Sequence, residues 1–266
     1  GRREELKLLD SDRVEKSIRS AALYHLGVLD GDAECLARSL KIDPAGRYST
    51  YANFHLAEIR SRSDDPKVRR RAVDSLLEIA FGRKNDKLAE EALYLAAVHC
   101  YQEKRYGESS SLLHRSLKTY PGGKHSASAR TIAAWSDYLS GRYADVLRLC
   151  SEGDGDDLAY LKAAAVFARG DHAQAKALFS SYLEKHPSGA YRMNAELPLA
   201  LIGYAEAEKG GDTSGMVECA KRALAISKAP GDGLRLGWAF EKAGDAVSAR
   251  AEYLKVAESH PDTAAA

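Results

Sequence analysis

Gly233-x-x-Leu236-Gly237-x-x-Phe240, then Ala249-x-x-x-Tyr253, then Pro261, is the stretch that decides the fold. Small and large residues three or four positions apart share one helix face; the small one admits a second backbone and the large one fills the layer beyond. The same offsets counted back from Pro187 select Ala159, Lys162, Ala163, Val166, Ala175 and Phe179. Counted back from Pro121 they select Leu93, Ala96, Ala97, Cys100, Ser109 and Leu113. Each segment therefore carries a small residue in a first helix (Gly237, Ala163, Ala97) and another in a second helix (Ala249, Ala175, Ser109). Four positions after the latter comes a large residue (Tyr253, Phe179, Leu113), and then a closing proline.

This spacing resembles the tetratricopeptide (TPR) repeat, a helix–turn–helix unit of about 34 residues, and Pro121 and Pro187 lie about two such periods apart. The resemblance covers the chain from about Glu90 to Pro261. It implies an all-α fold, a right-handed superhelical solenoid of antiparallel helix pairs, with about seven pairs in all. Residues 1–89 read as irregular N-terminal helical repeats and 90–266 as TPR-like repeats, together one continuous solenoid. In the N-terminal part Ile18, Leu23, Leu26 and Leu29 share a stripe, Gly31-Asp32 makes a turn, and a short helix carries Leu36 and Leu40 to Asp43-Pro44. A helix from about Tyr48 to Arg60 follows, then one begun by Asp65 as N-cap and Pro66 as first residue.

Three places depart from the pattern. The helix near Ala144 to Cys150 is short and runs into the loop from Ser151 to Asp156. Pro198 falls where a first helix forms, so the helix either starts there or kinks. Gly210-Gly211 inserts a residue before the next helix, after which Met216, Ala220 and Ala223 return to phase.

Composition sets further bounds. The 266 residues are 45% hydrophobic and 29% charged, enough for a buried core and outside the disordered range. Thirty-nine basic and 38 acidic residues leave a net charge of +1, which argues against chain-wide attraction to nucleic acid. The densest basic run, Arg62, Lys67, Arg69, Arg70 and Arg71, reads as a solvated helix face, with an acidic partner or a lipid headgroup as the alternative. Cys35, Cys100, Cys150 and Cys219 form no C-x-x-C pair, which disfavours zinc, and Cys100 falls at a packing position. No run of about 18 apolar residues is present to span a bilayer. The start, Gly1-Arg2-Arg3-Glu4-Glu5, lacks signal-peptide character.

No chemical motif emerges. The eight histidines make no H-E-x-x-H pattern. Gly123-Lys124-His125 lacks the rest of a phosphate loop, and Gly231-Asp232-Gly233 with Leu236-Gly237 has its glycines misplaced for a dinucleotide fingerprint. Asp154, Asp156 and Asp157 lack the glycine and terminal glutamate of a calcium loop. No catalytic residue, metal ligand or cofactor is assigned.

In TPR proteins the first helices line a concave groove that binds peptides or partner helices. Transferred through the repeat frame, the resemblance implies a partner-binding groove of Tyr94, Val98, Tyr101, Trp135, Tyr138, Tyr160, Phe167 and Trp238, with Tyr204 as an additional candidate. Aromatic rings give large contact area at low entropic cost. The other reading of these rings is packing between helices, and it stays open for each of them. Glu91, Gln102, Glu241 and Lys242 are neighbours able to orient a ligand. Asp137 stands out because its position is usually aromatic.

The run from Leu178-Phe179 through Tyr182-Leu183-Glu184-Lys185-His186-Pro187-Ser188-Gly189-Ala190-Tyr191 resembles the repeat joint of bacterial envelope TPR proteins, and Leu117 to Lys124 is similar. That resemblance implies a bacterial periplasmic, non-catalytic adaptor for a protein or peptide, either free or lipid-anchored to a membrane through an acylated cysteine upstream of Gly1. The alternatives are a cytoplasmic location, the superhelical part of a larger enzyme such as a soluble lytic transglycosylase, and homo-oligomerisation through an uncapped repeat end.

Overall fold

The computed structural model describes residues 4, 7, 9, 14–82, 87–153 and 155–259; Asp154 and Pro261 lie outside the described residues. The described residues form helices and no strands. The chain divides into two compact units, Gly1–Ser140 and Gly141–Ala266. The first contains α1 (Lys16–Asp30), α2 (Ala33–Ile42), α3 (Ser49–Arg60), α4 (Pro66–Gly82), α5 (Lys87–Gln102), α6 (Tyr106–Thr119) and α7 (Ser126–Leu139). The second contains α8 (Tyr143–Ser151), α9 (Asp156–Ala168), α10 (His172–Lys185), α11 (Arg192–Gly210), α12 (Thr213–Ser227), α13 (Pro230–Lys242) and α14 (Ala246–Ser259). Within each unit every helix packs on its sequence neighbour, the TPR-like arrangement of helix pairs. First helices also meet one another, α5 with α7 in one unit and α9 with α11 in the other.

Local chemistry explains where the second helices begin. The side chains of Asp32, Asp171 and Asp212 accept the N–H groups of Glu34, Gln174 and Gly215 at 2.8, 3.0 and 2.9 Å. Asp65 does the same for Lys67 at 2.8 Å, ahead of Pro66 as the first residue of α4. Each cap satisfies a backbone donor that the helix leaves unpaired, a contribution of about 1 kcal/mol. The turn before the cap reverses the chain through a left-handed residue, Gly170 at φ 85° and Gly211 at φ 71°, where a side chain would add strain.

Most of the repeat frame lies in the core, although Lys162 on the same frame is exposed and Ala159 and Tyr253 are half-buried. In the first unit Leu93, Ala96, Ala97, Cys100, Ser109 and Leu113 are all buried, and Phe54, Val73 and Leu76 extend the same core. Ala163, Val166, Ala175 and Phe179 are buried in the second unit, as are Met216, Ala220 and Ala223. Burying one Leu or Phe contributes about 2 kcal/mol, whereas the intervening alanines contribute chiefly by letting backbones approach. A Cβ on Gly237 would overlap the ring of Tyr253. Ala163 and Ala97 are fully buried at the corresponding positions.

Two irregularities are resolved. Pro198 neither starts a helix nor ends one; it lies inside α11, which begins at Arg192. The missing N–H is accommodated within a 19-residue helix. Gly210 is the last residue of that helix and Gly211 its left-handed cap, so the inserted residue lengthens α11 and leaves α12 in phase.

Gly237→Ala is expected to lower stability by about 1–3 kcal/mol, through overpacking against Tyr253. Gly231→Ala, in the same helix with no heavy atom within 4 Å of the added carbon, is the control with little effect. Urea unfolding followed by circular dichroism measures both.

Candidate functional site

The first-helix aromatics are tied to a joint that recurs three times: Pro44-x-Gly46-x-Tyr48, Pro121-x-Gly123-x-His125 and Pro187-x-Gly189-x-Tyr191. In each, the carbonyl before the proline accepts the glycine N–H, at 3.2, 3.0 and 2.9 Å respectively. The aromatic residue at the end of the joint is the N-cap of the next first helix. Its ring lies flat on a tyrosine of the preceding first helix. Tyr24 stacks on Tyr48 at 4.8 Å, Tyr94 on His125 at 4.2 Å, and Tyr160 on Tyr191 at 4.7 Å, with interplanar angles of 17°, 7° and 15°.

Carboxylates complete two of the joints. Glu90, one turn before Tyr94, accepts the backbone N–H of His125 at 3.2 Å. Asp156, one turn before Tyr160, accepts that of Ala190 at 2.9 Å and the Tyr182 hydroxyl at 2.5 Å. The Tyr182 oxygen in turn accepts the Tyr191 N–H at 3.2 Å, and the Tyr191 hydroxyl donates to Asp157 at 2.5 Å. Burial, reinforced by the bond to Asp156, pushes the Tyr182 hydroxyl up to about 12. A Cβ on Gly123 would collide with the Glu90 carboxylate, and one on Gly189 would crowd the Tyr182 hydroxyl and Asp156. Those glycines are the space in which the carboxylates sit.

Tyr94 and Tyr160 are thus half-buried stacking partners in their own units. Val98 is half-buried on α5, and Tyr101 meets Tyr106 edge-on at 5.5 Å where α5 turns into α6. Trp135 and Tyr138 on α7 are half-buried and contact each other edge-on at 6.3 Å. Phe167 packs against His172 at 5.2 Å and Phe179 at 6.3 Å. Trp238 is the most open, 41% exposed, with the Lys242 ammonium 4.4 Å from its ring centre. Tyr204 is buried in the core with Met216, Ala220 and Leu236. Tyr94, Val98, Tyr101, Trp135 and Tyr138 belong to the first unit, and Tyr160, Phe167 and Trp238 to the second. Sequence reasoning missed Tyr24, Tyr48, His125 and Tyr191 as ring partners; the signal was the repeated glycine and aromatic residue after Pro44, Pro121 and Pro187.

Among the orienting polar residues, Glu91 pairs with Lys124 at 3.3 Å and Glu241 accepts the Tyr253 hydroxyl at 3.1 Å. Asp137 is fully buried, accepting the Ser110 hydroxyl at 2.5 Å and meeting His114 Nε2 at 2.7 Å. A buried carboxylate with two such partners explains its place in a position usually aromatic. Within the basic run, Arg69 pairs with Glu103 at 2.9 Å and donates to the carbonyls of Ser63 and Asp64, and Arg62 pairs with Glu58. The Arg69 and Arg105 guanidinium groups hold the Glu103 carboxyl below its usual range. Two of the five basic residues of that run, Arg62 and Arg69, are therefore neutralised locally. Burial pushes the Cys150 thiol up to about 11 and raises that of Cys100. Among the described residues no group of three or more potential metal ligands occurs, and no helix is long and apolar enough to cross a membrane.

Residues 158–189 and 233–263 match the tetratricopeptide repeat family profile. This fold typically serves as a protein-interaction scaffold without chemistry of its own. A search of curated protein sequences returns no match. Among solved structures, a tetratricopeptide repeat protein from Parabacteroides merdae is similar at 12% identity and TM-score 0.48, covering 97% of this chain and 93% of that one. Yeast Tom70 is similar at 13% identity and TM-score 0.45; the match covers 96% of this chain but only 54% of Tom70. PilF from Pseudomonas aeruginosa aligns at 17% identity and TM-score 0.35, over 99% and 96% of the two chains.

Tyr182→Phe removes the hydroxyl shared by Asp156 and the Tyr191 N–H, at an expected cost of about 1–3 kcal/mol. Because the folded state raises this hydroxyl's pKa, its stabilising effect is complete below the unfolded value near 10 and is lost as pH rises towards 12. Stability of the native chain measured between pH 9 and 12 is expected to fall more steeply than that of Tyr182→Phe.

Proposed function

We propose that the chain is a non-catalytic adaptor that holds a protein or peptide partner on the aromatic face of its first helices. The observation that carries this reading is Trp238. A tryptophan that is 41% exposed on a first helix, under its own Lys242, offers contact area that the core does not use. Trp135 and Tyr138 supply a corresponding aromatic pair in the first unit. Leucine and alanine make up most of the interior, so these large rings are not needed to fill it.

We further infer that this adaptor works in the bacterial periplasm, within an envelope complex, a reading supported by the resemblance of the runs 178–191 and 117–124 to the joints of envelope repeat proteins. Attachment to a membrane through a lipid anchor upstream of Gly1 is compatible with this reading.

The test is affinity capture from cell extract with the native chain and with Trp135→Ala, Trp238→Ala and the double substitution. Loss of about 2 kcal/mol or more in partner affinity, with the circular dichroism spectrum unchanged, is expected for at least one tryptophan. A folded double variant that retains every partner of the native chain would overturn the groove assignment. Fractionation of cells producing the full-length protein checks the compartment, with recovery in the periplasmic or envelope fraction expected.

A further inference from the structure

The second unit contains a cleft of about 290 Å³ between α9, α10 and α11, lined by Phe167, Leu201, Ile202, Ala205 and the rim residues His172, Glu206 and Lys209. Its walls are apolar and come from two adjoining first helices. Phe167 is held in place by His172 and Phe179, so one wall is formed before any ligand arrives, which lowers the ordering cost of binding. The rim is chemically uneven. Glu206 is already engaged by Lys176 at 2.5 Å across the gap between α10 and α11, and that pair carries no net charge. Lys209, one turn beyond Ala205, is exposed and forms no ion pair among the described residues.

An apolar recess beside an uncompensated ammonium group selects its occupant. The recess rewards burial of a bulky apolar side chain at about 25 cal/mol per Å² of apolar area. The ammonium favours a carboxylate next to that side chain and disfavours a second cation. We propose that this cleft receives a peptide segment of the partner in which a Leu- or Phe-sized side chain is followed or preceded by an acidic residue, the apolar group entering between Phe167 and Ala205 and the carboxylate pairing with Lys209. The proposal deepens the adaptor reading and rests on the first-helix face being the partner surface.

The experiment selects a phage-displayed dodecapeptide library on the full chain and measures the enriched sequences, as synthetic fluorescent peptides, by polarisation. Enrichment of a bulky apolar residue next to Asp or Glu is expected. Ala205→Glu, at an exposed position whose substitution leaves the core intact, fills the cleft mouth with like charge and is expected to weaken these peptides by on the order of tenfold or more. Lys209→Glu is expected to shift the enriched neighbour from acidic to basic. Peptides that bind Ala205→Glu as well as the native chain, a library yielding no binder, or motifs indifferent to Lys209→Glu would each overturn the proposal. The two readings fail separately. Partner capture that depends on Trp238 but ignores Ala205→Glu removes the cleft alone, whereas peptides sensitive to Ala205→Glu alongside capture indifferent to both tryptophans remove the aromatic face.

Discussion

A helix pair can stack on the next only if the chain between them returns at a fixed place, and here a ring laid on a ring supplies that constraint. Tyr24 on Tyr48, Tyr94 on His125 and Tyr160 on Tyr191 pin the start of each following first helix to the preceding one. Stacked rings are rigid and contribute about 0.5–1.5 kcal/mol beyond their burial. The proline limits the chain's approach, and the glycine leaves room for the carboxylate or hydroxyl that ties down the backbone.

The same constraint divides the aromatic residues by task. Tyr94 and Tyr160 spend one face on a joint, Phe167 braces a cleft wall, and Tyr204 is enclosed. Trp238 remains open, with the Lys242 ammonium above it. A surface that recognises a partner needs rigid rings that are not consumed by packing, and the joints provide rigidity to the helices that carry them. Charge follows a similar division. Arg69, Arg105 and Glu103 satisfy one another, whereas Lys209 stands beside an apolar recess and forms no ion pair among the described residues.

Much of the fold was legible because its determinants are local. Small residues at helical spacing marked close backbone contacts at Ala97, Ala163 and Gly237, and Asp65 with Pro66 marked a helix start. Pro198 was legible only in part. Of its two sequence readings, a helix start is overturned because the helix begins at Arg192, and the proline sits inside it, where contacts with neighbouring helices outweigh one missing hydrogen bond. Asp137 looked anomalous for a related reason, since the groups that satisfy it, Ser110 and His114, lie on another helix.

The candidate site shows the limit most clearly. Periodicity put Tyr94, Tyr160, Phe167 and Trp238 on first helices, but it carries no information about what each ring touches; the partners of Tyr94 and Tyr160 come from a segment about a repeat away. By itself the sequence determined the helical pairs, their small-residue seams and the proline-glycine joints, all consequences of short-range sterics and backbone hydrogen bonding. Only the tertiary structure decided which aromatic rings are spent on joints, which carboxylates are neutralised, and that Phe167, Leu201 and Ala205 enclose a cleft beside Lys209. Those outcomes depend on side chains meeting across separate helices, where distance in space, and not along the chain, sets the interaction.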